Sequence, residues 1–546
     1  MRALIWTILV LGTIVALPLA FRRKDAAPLR AENRLVVITA NNEALRHETE
    51  LAFREWYRGR HPGEDVSIDW RTPGGTSEIV RFLRSTFVAN ARHAWGLRGT
   101  ARPEGVSAVP WSDGLSVAIF GGSCPEDPTQ AEAWRWFRES AVGVDVDVMQ
   151  GGGQYDHEGL RRSGMLSPAG VQARHPEWFQ GGQPILSPGG GGEVWYDKTD
   201  CYYAVCFSTF GIVYNPDRLA QAGFSPEEIR DFGSKWSHLA DPRLYGGVGL
   251  ADPSQSGSIV KCFEMLIQRE MQDALLEEHP GVPVEELRPT PEELDRAWQR
   301  AMTLLKKLGG NAAYLTFSAS KVPVDAASGQ IAAGMCIDFY GRSQAEWERV
   351  QQGREVVRYR TPTAASTVSA DPVAILRGAP HRKLAEEYVA FLLSPEAQRL
   401  WGKRAGSPGG PRDYTLYRLP VRRDMFQGEA LENTVFGDER PLLLAEQFRY
   451  RGDWTGRLFQ SIRILVKTML IDCGPELRAS WGRILSDGGW EALSEERREA
   501  FEALPFPYRE TREATASLDS PQEEARLRRE WLLFFREHYR LAAEGK

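Results

Sequence analysis

The stretch from Tyr202 to Ser258 constrains this chain most. It opens with an apolar, aromatic run, Tyr202-Tyr203-Ala204-Val205-Cys206-Phe207, and continues through Ser208-Thr209-Phe210-Gly211-Ile212-Val213-Tyr214-Asn215. A helix-like segment, a turn at Leu239-Ala240-Asp241-Pro242 and a second apolar run, Val248-Gly249-Leu250-Ala251, follow. Strand, helix and strand in that order form a βαβ unit, which commits the chain to a sheet with helices packed on it. The second run ends in Asp252-Pro253-Ser254-Gln255-Ser256-Gly257-Ser258 and opens a helix beginning near Ile259. Free N–H groups at a helix start, with serine hydroxyls beside them, suit an anion or a polar ligand.

The same grammar recurs upstream. Leu35 to Ala40 predicts a strand ending at Asn41-Asn42, and a helix follows from Glu43 to Gly59. Val66 to Trp70 alternates like a strand, ends in a polar loop through Thr76 and Ser77, and a helix resumes near Glu78. Each polar loop then emerges at the carboxyl end of a strand, where open α/β sheets hold ligands. Val144 to Met149 predicts a third strand, followed by Gly151-Gly152-Gly153, where backbone can approach a ligand closely. Residues 83–143 interrupt the rhythm, with helix signal only from Thr129 to Glu139, and read as an insertion.

Further on, Met335 to Phe339 predicts a strand, residues 355–376 two more, and Lys383 and Pro395 begin helices. The chain is then mostly helical. Its last segment, Ser520 to Ala543, sets Leu527, Trp531, Phe535 and Tyr539 on a charged background. That is an amphipathic helix, and its mixed charges predict packing against the globule rather than a membrane surface.

The run Phe207 to Asn215, the Leu239 to Pro242 turn and the Asp252 to Ser258 loop resemble the bacterial extracellular solute-binding proteins of ABC transporters. The branch they are most similar to covers ferric iron, thiamine, polyamine and phosphonate ligands. Gly329 to Gly341, and Thr361 through Ala370-Asp371-Pro372 to Gln398, resemble it too. The resemblance covers residues 34–82 and 144–425. It implies an α/β fold of two lobes with an interlobe cleft, of the type II periplasmic-binding-protein kind, plus an insertion in lobe one and a C-terminal helical extension. The expected parts are lobe one over 34–205 (insertion 83–143) and 341–425, lobe two over 206–340, and the extension over 426–546. It also implies a small-molecule ligand, ABC permease subunits as membrane partners, a monomer, and a place in the periplasm or on the extracytoplasmic face.

Homologous loops line the cleft in that family, which makes the strand ends candidate ligand-binding residues. They are Asn41, Asn42, Thr76, Ser77, Gly151 and Gly152 in lobe one. At and beyond the crossing they are Ser208, Thr209, Ser254, Ser256, Ser258, Asp338 and Tyr340. Hydroxyls and helix N-termini favour an anion such as a phosphonate, phosphate ester or carboxylate. Ferric-binding members are similar to one another in an adjacent tyrosine pair, whereas Asp338-Phe339-Tyr340-Gly341 holds one tyrosine. Tyr202-Tyr203 is adjacent, but alternate strand faces separate the rings. Ferric iron, thiamine or polyamine in the same fold is the alternative; an acid and aromatic faces at Asp338, Tyr340 and Trp195 would serve a cation.

No catalytic constellation emerges. Asp156-His157-Glu158 is a weak metal trio, because adjacent side chains point apart. The serine loop matches neither a nucleophile elbow nor a Walker loop. The reading is therefore not an enzyme, with no cofactor and no metal; an exported hydrolase using Asp338 or His157, or a membrane-tethered sensor or scaffold, are the competing classes. A net charge of -6 gives no support for nucleic-acid binding. Arg2, an uncharged stretch from Ala3 to Phe21, and Arg22-Arg23-Lys24 predict a signal peptide or N-terminal membrane anchor over residues 1–28. The six cysteines permit disulfides whose pairing the sequence does not give, and Cys262 and Cys336 sit in apolar runs as buried thiols.

Overall fold

The computed structural model describes residues 33–100, 111–437, 440–514 and 521–544. The expected export segment lies outside the described residues. Among those described, no helix is long and apolar enough to cross a membrane.

In chain order the strands are β1 (Arg34–Thr39), β2 (Ser67–Arg71), β3 (Val148–Gln150), β4 (Leu166–Ser167) and the small hairpin β5 (Gly189–Gly190) and β6 (Glu193–Val194). Then come β7 (Tyr202–Ser208), β8 (Phe210–Tyr214), β9 (Val248–Ala251), β10 (Ala312–Thr316), β11 (Ala333–Ile337), β12 (Arg358–Arg360), β13 (Ser369–Leu376) and β14 (Leu419–Pro420). They form two main sheets, ordered β14-β7-β13-β3-β1-β2, with β4 paired to β13, and β10-β9-β11-β8-β12. These are the two lobes. β1 runs parallel to β2 and β3, and β9 runs parallel to β10 and β11, as βαβ connections require.

The chain crosses between sheets twice. Only Thr209 separates β7 from β8, and residues 361–368 carry β12 back to β13. The first crossing comes a few residues after the expected boundary at 205, because β7 stays paired with β13 in the first sheet as far as Ser208. The second is later than the expected boundary at 341: the helix Asp338–Gln352 leads into β12, which pairs with β8 in the second sheet. The chain has to complete that edge strand before it returns.

Both faces of the first sheet are covered, so its strands read as near-continuous apolar runs. Leu35 and Val37 enter one core, with Phe53, Tyr388, Phe391 and Trp401. Val36 and Ile38 enter the other, with Phe87, Trp95 and Phe137. Tyr203 and Tyr202 divide between the same two cores, on opposite faces as alternation dictates. The expected insertion supplies eight of the residues of the second of these cores, Leu83 to Phe137. It is more helical than its sequence suggests: Thr76–Thr100 is one long helix, and Asp113–Gly121 and Pro128–Glu139 follow.

The third strand is shorter than the Val-Asp alternation predicts. Only Val148–Gln150 is strand. Asp147 is fully buried, and its carboxylate accepts the backbone N–H groups of Val36 at 2.8 Å and His381 at 2.6 Å. A side chain thus replaces part of the ladder.

The C-terminal extension shares the core of the second lobe. Trp454, Ile462, Trp481, Trp531 and Phe535 lie in one cluster with Ile212, Leu250, Phe263 and Trp298. The helix Pro521–Glu544 packs its apolar stripe there, and the Tyr539 hydroxyl donates to the Met469 carbonyl at 3.0 Å. All six cysteines are free thiols, and every one but Cys124 is buried.

Candidate ligand-binding cleft

A cavity of about 1050 Å³ opens between the two sheets and is walled by loops of both lobes and of the extension. The loops sit where the strands dictate. β1 ends at Asn41 and Asn42, and the Asn42 side chain caps the next helix by accepting from the Leu45 N–H at 3.0 Å. Thr76 begins the long helix of lobe one and stands against Gly152, where the φ of 93° favours glycine and the Thr76 side chain leaves no space for a Cβ. Across the cleft, β9 runs into Ser256, Gly257 and Ser258 at the start of the helix Gly257–Glu278.

Arg418 forms part of the wall from just before β14. It is buried, and its guanidinium donates to the Ser208 hydroxyl at 2.6 Å, stands 3.3 Å from Asp371 and lies 3.8 Å above the Phe339 ring. Burial opposes its charge, but Cys206 and Asp371 beside it outweigh that, and its pKa moves up. Burial raises the Asp371 carboxyl in turn, which Arg418 only partly offsets. Arg418 Nε and Asp371 Oδ1 are buried with no protein partner. A buried guanidinium that borders the cavity beside Ser208, Ser369 and Tyr340 supplies a fixed positive charge that suits an anion.

A second charged group closes one end. Lys261, from the helix Gly257–Glu278, lies 3.0 Å from Glu193 of the β5–β6 hairpin and 3.0 Å from Glu264. Its ammonium also sits 3.9 Å from the Tyr450 ring centre. Burial would lower its pKa, but the two carboxylates overcome that and hold it well above the ordinary lysine value. The Tyr450 hydroxyl donates to Glu264 at 2.8 Å, and the Tyr450 N–H to the Gly191 carbonyl at 2.6 Å. One buried cluster therefore joins lobe one, lobe two and the extension.

Among the sequence-derived candidates, Asn41, Asn42, Thr76 and Gly152 line the cleft from lobe one, and Ser208 from the crossing. Ser256, Ser258 and Tyr340 line it from lobe two. The others lie outside the wall. Gly151 gives its carbonyl to His157, and Ser77 accepts from Arg463 at 3.2 Å. The Ser254 N–H is held by Asp252 at 2.7 Å, which turns the loop before the serines of the wall. Thr209 and Asp338 are buried at the crossing, where Asp338 accepts the Thr209 N–H at 3.0 Å. They position the lobes and do not face the cavity, because a crossing residue must satisfy its own backbone inside the protein.

The Asp156-His157-Glu158 trio diverges as adjacency predicts. Asp156 borders the cleft, the His157 ring donates to the Gly151 carbonyl at 3.0 Å, and Glu158 pairs with Arg161 at 2.7 Å. His47, Glu48 and Asp413 do approach one another, but none lines the cleft. The Glu48 carboxylate is already filled by the N–H groups of Arg412, Asp413 and Tyr414 at 2.6 to 2.7 Å.

Sequence reasoning missed Arg418, Asp371, the Glu193–Lys261 pair and the extension's share of the wall. The only signal for Arg418 was a lone charge between Tyr417 and Leu419. Nothing local marked the others, because chain segments far apart in sequence bring them together.

Residues 202–406 match the family of bacterial extracellular solute-binding proteins. That stretch of the chain runs from β7 through the whole second sheet to beyond β13. The periplasmic binding protein AfuA from Actinobacillus pleuropneumoniae, with exogenous fructose-6-phosphate bound, is similar in structure at 16% identity and a TM-score of 0.44. The match covers 78% of this chain and 96% of that one. Iron-bound HitA from Pseudomonas aeruginosa is similar at 13% identity and a TM-score of 0.44, over 79% of this chain and 99% of that one. An uncharacterized protein of Haemophilus influenzae is 33% identical over 91 residues, 16% of this chain. The match spans a quarter (25%) of that curated relative's length.

Proposed function

We propose that this chain is the extracytoplasmic solute-binding component of an ABC transporter. It captures a small polar anion, such as a phosphonate or phosphate ester, between its lobes and delivers it to a permease. The observation that carries this reading is the buried Arg418 guanidinium in the cleft wall, a fixed positive charge with serine hydroxyls beside it. The start of the helix Gly257–Glu278, with Ser256 and Ser258, adds donors from the other lobe. Two lobes joined by short crossings can close over such a ligand by a hinge motion. A cavity of about 1050 Å³ has space for more than a bare phosphate.

The test is a thermal-shift screen of the chain from about residue 30 onward, the point where the described residues begin. Phosphonates, sugar phosphates, polyamines, thiamine and ferric complexes make up the panel. A ligand that binds only the folded state raises its melting temperature by mass action. Phosphonates or phosphate esters should give the shift, and a shift from polyamines or thiamine alone would refute the anionic reading.

A further inference from the structure

Part of the C-terminal extension faces the cavity. Tyr450, Gly456, Arg457 and Phe459 all line it. The segment that carries them is anchored in lobe two: the Thr455 hydroxyl donates to Glu264 at 2.6 Å, and Gln268 donates to Thr455 at 2.6 Å. Trp454, Leu458 and Ile462 of the same segment belong to the lobe-two core. It also reaches lobe one. Phe459 packs against Tyr155 with ring centres 5.3 Å apart, and Arg463 donates to Ser77 at 3.2 Å.

Arg457 is exposed toward the cavity and forms no ion pair or hydrogen bond among the described residues. Phe317, on the loop after β10, lines the same cavity and is 78% exposed. A bare phenylalanine ring in a polar cleft leaves apolar surface in water, which a ligand's own apolar surface would cover. The cleft therefore pairs an unengaged guanidinium with uncovered ring surface.

We propose that the extension is a third wall of the binding site and selects the solute. Arg457 contacts the anionic group, and Phe317, with the Phe459–Tyr155 pair, holds a ring-sized apolar part of the same molecule. The solute class is an anion carried on a flat or apolar ring. This rests on the anionic reading proposed above.

The experiment titrates phenyl phosphate and methyl phosphate calorimetrically into the chain from about residue 30, and into its Arg457→Ala and Phe317→Ala variants. Both side chains are exposed, and unliganded melting verifies each fold. The wild type should prefer phenyl phosphate. Arg457→Ala should weaken both ligands about tenfold, as loss of one charge-assisted hydrogen bond does. Phe317→Ala should remove the preference and leave methyl phosphate unchanged. Wild-type affinities in both variants overturn the third wall and leave the anionic reading standing. Binding of neither phosphate by the wild type overturns that reading and this inference together.

Discussion

The hydroxyls of Thr209 and Thr361 lie 3.0 Å apart, where the two segments that cross between the lobes pass each other. Thr209 also gives its N–H to Asp338. The Phe210 N–H, one residue on, goes to the Ser366 hydroxyl at 2.9 Å in the returning segment. The crossings thus form one hydrogen-bonded joint between the two lobes.

Replacing Thr361 with Val keeps its shape and removes that hydroxyl pair. A net hydrogen bond contributes about 1 kcal/mol, so Thr361→Val should lower unfolding free energy by about that much. Thr361→Ser should retain most of it. Urea unfolding measures both, and equal loss in the two variants would show that the methyl group, not the hydroxyl, matters.

Lys261 balances Glu193 and Glu264 at one end of the cleft. Lys261→Met leaves two buried carboxylates without their cation, and breaking a buried pair this way costs about 3–5 kcal/mol. Urea unfolding should therefore show a large loss for Lys261→Met and a smaller one for Lys261→Met with Glu193→Gln. A loss below about 1 kcal/mol would mean that water reaches the cluster.

Two adjacent residues titrate against each other in sign. Burial lowers the His157 pKa from 6.5 to about 4. Its neutral form is the folded one, so it contributes stability above pH 6.5 that is lost as pH falls towards 4. Burial raises the Asp156 carboxyl from 3.8 to about 6. Its protonated form is favoured on folding, so its contribution is full below 3.8 and lost as pH rises through 6. The two slopes oppose each other in the native chain. His157→Gln should expose the Asp156 slope, with stability falling from pH 4 to 6, and Asp156→Asn should expose the reverse. Denaturation across that range reads both, and parallel curves for the two variants would contradict the assignment.

Much of the fold was legible because strand patterning and turn chemistry are local. β7, β8 and β9 lie where Tyr202 to Ala251 indicates, and Asn42 caps its helix as an asparagine at that position should. The joint was less legible. Thr209 and Asp338 have the composition of ligand groups, and only the meeting of two distant segments shows them buried in the crossing. Arg418 was illegible for a related reason: its partners Ser208 and Asp371 come from β7 and β13. The extension joins the wall through contacts that span nearly two hundred residues of sequence, such as Tyr450 to Glu264 at |i−j| of 186.

Ser256 precedes the helix Gly257–Glu278 but makes no side-chain capping bond; its hydroxyl instead meets that of Ser258 at 2.9 Å. Ser256→Ala should therefore leave melting nearly unchanged and weaken phosphate-ester binding about tenfold, the effect of one lost bond to a charged partner. A cap would behave oppositely, with a stability loss of about 1 kcal/mol and intact affinity.

The most direct measurement is calorimetric titration of a phosphate ester, a phosphonate, spermidine and thiamine into the chain and its Arg418→Lys variant. Lysine keeps the charge and loses the planar fork that reaches Ser208. The account predicts saturable one-to-one binding of an anion, weakened at least about tenfold in Arg418→Lys, with the cations inert. Saturable binding of spermidine or thiamine alone, or equal anion affinity in both proteins, would contradict it.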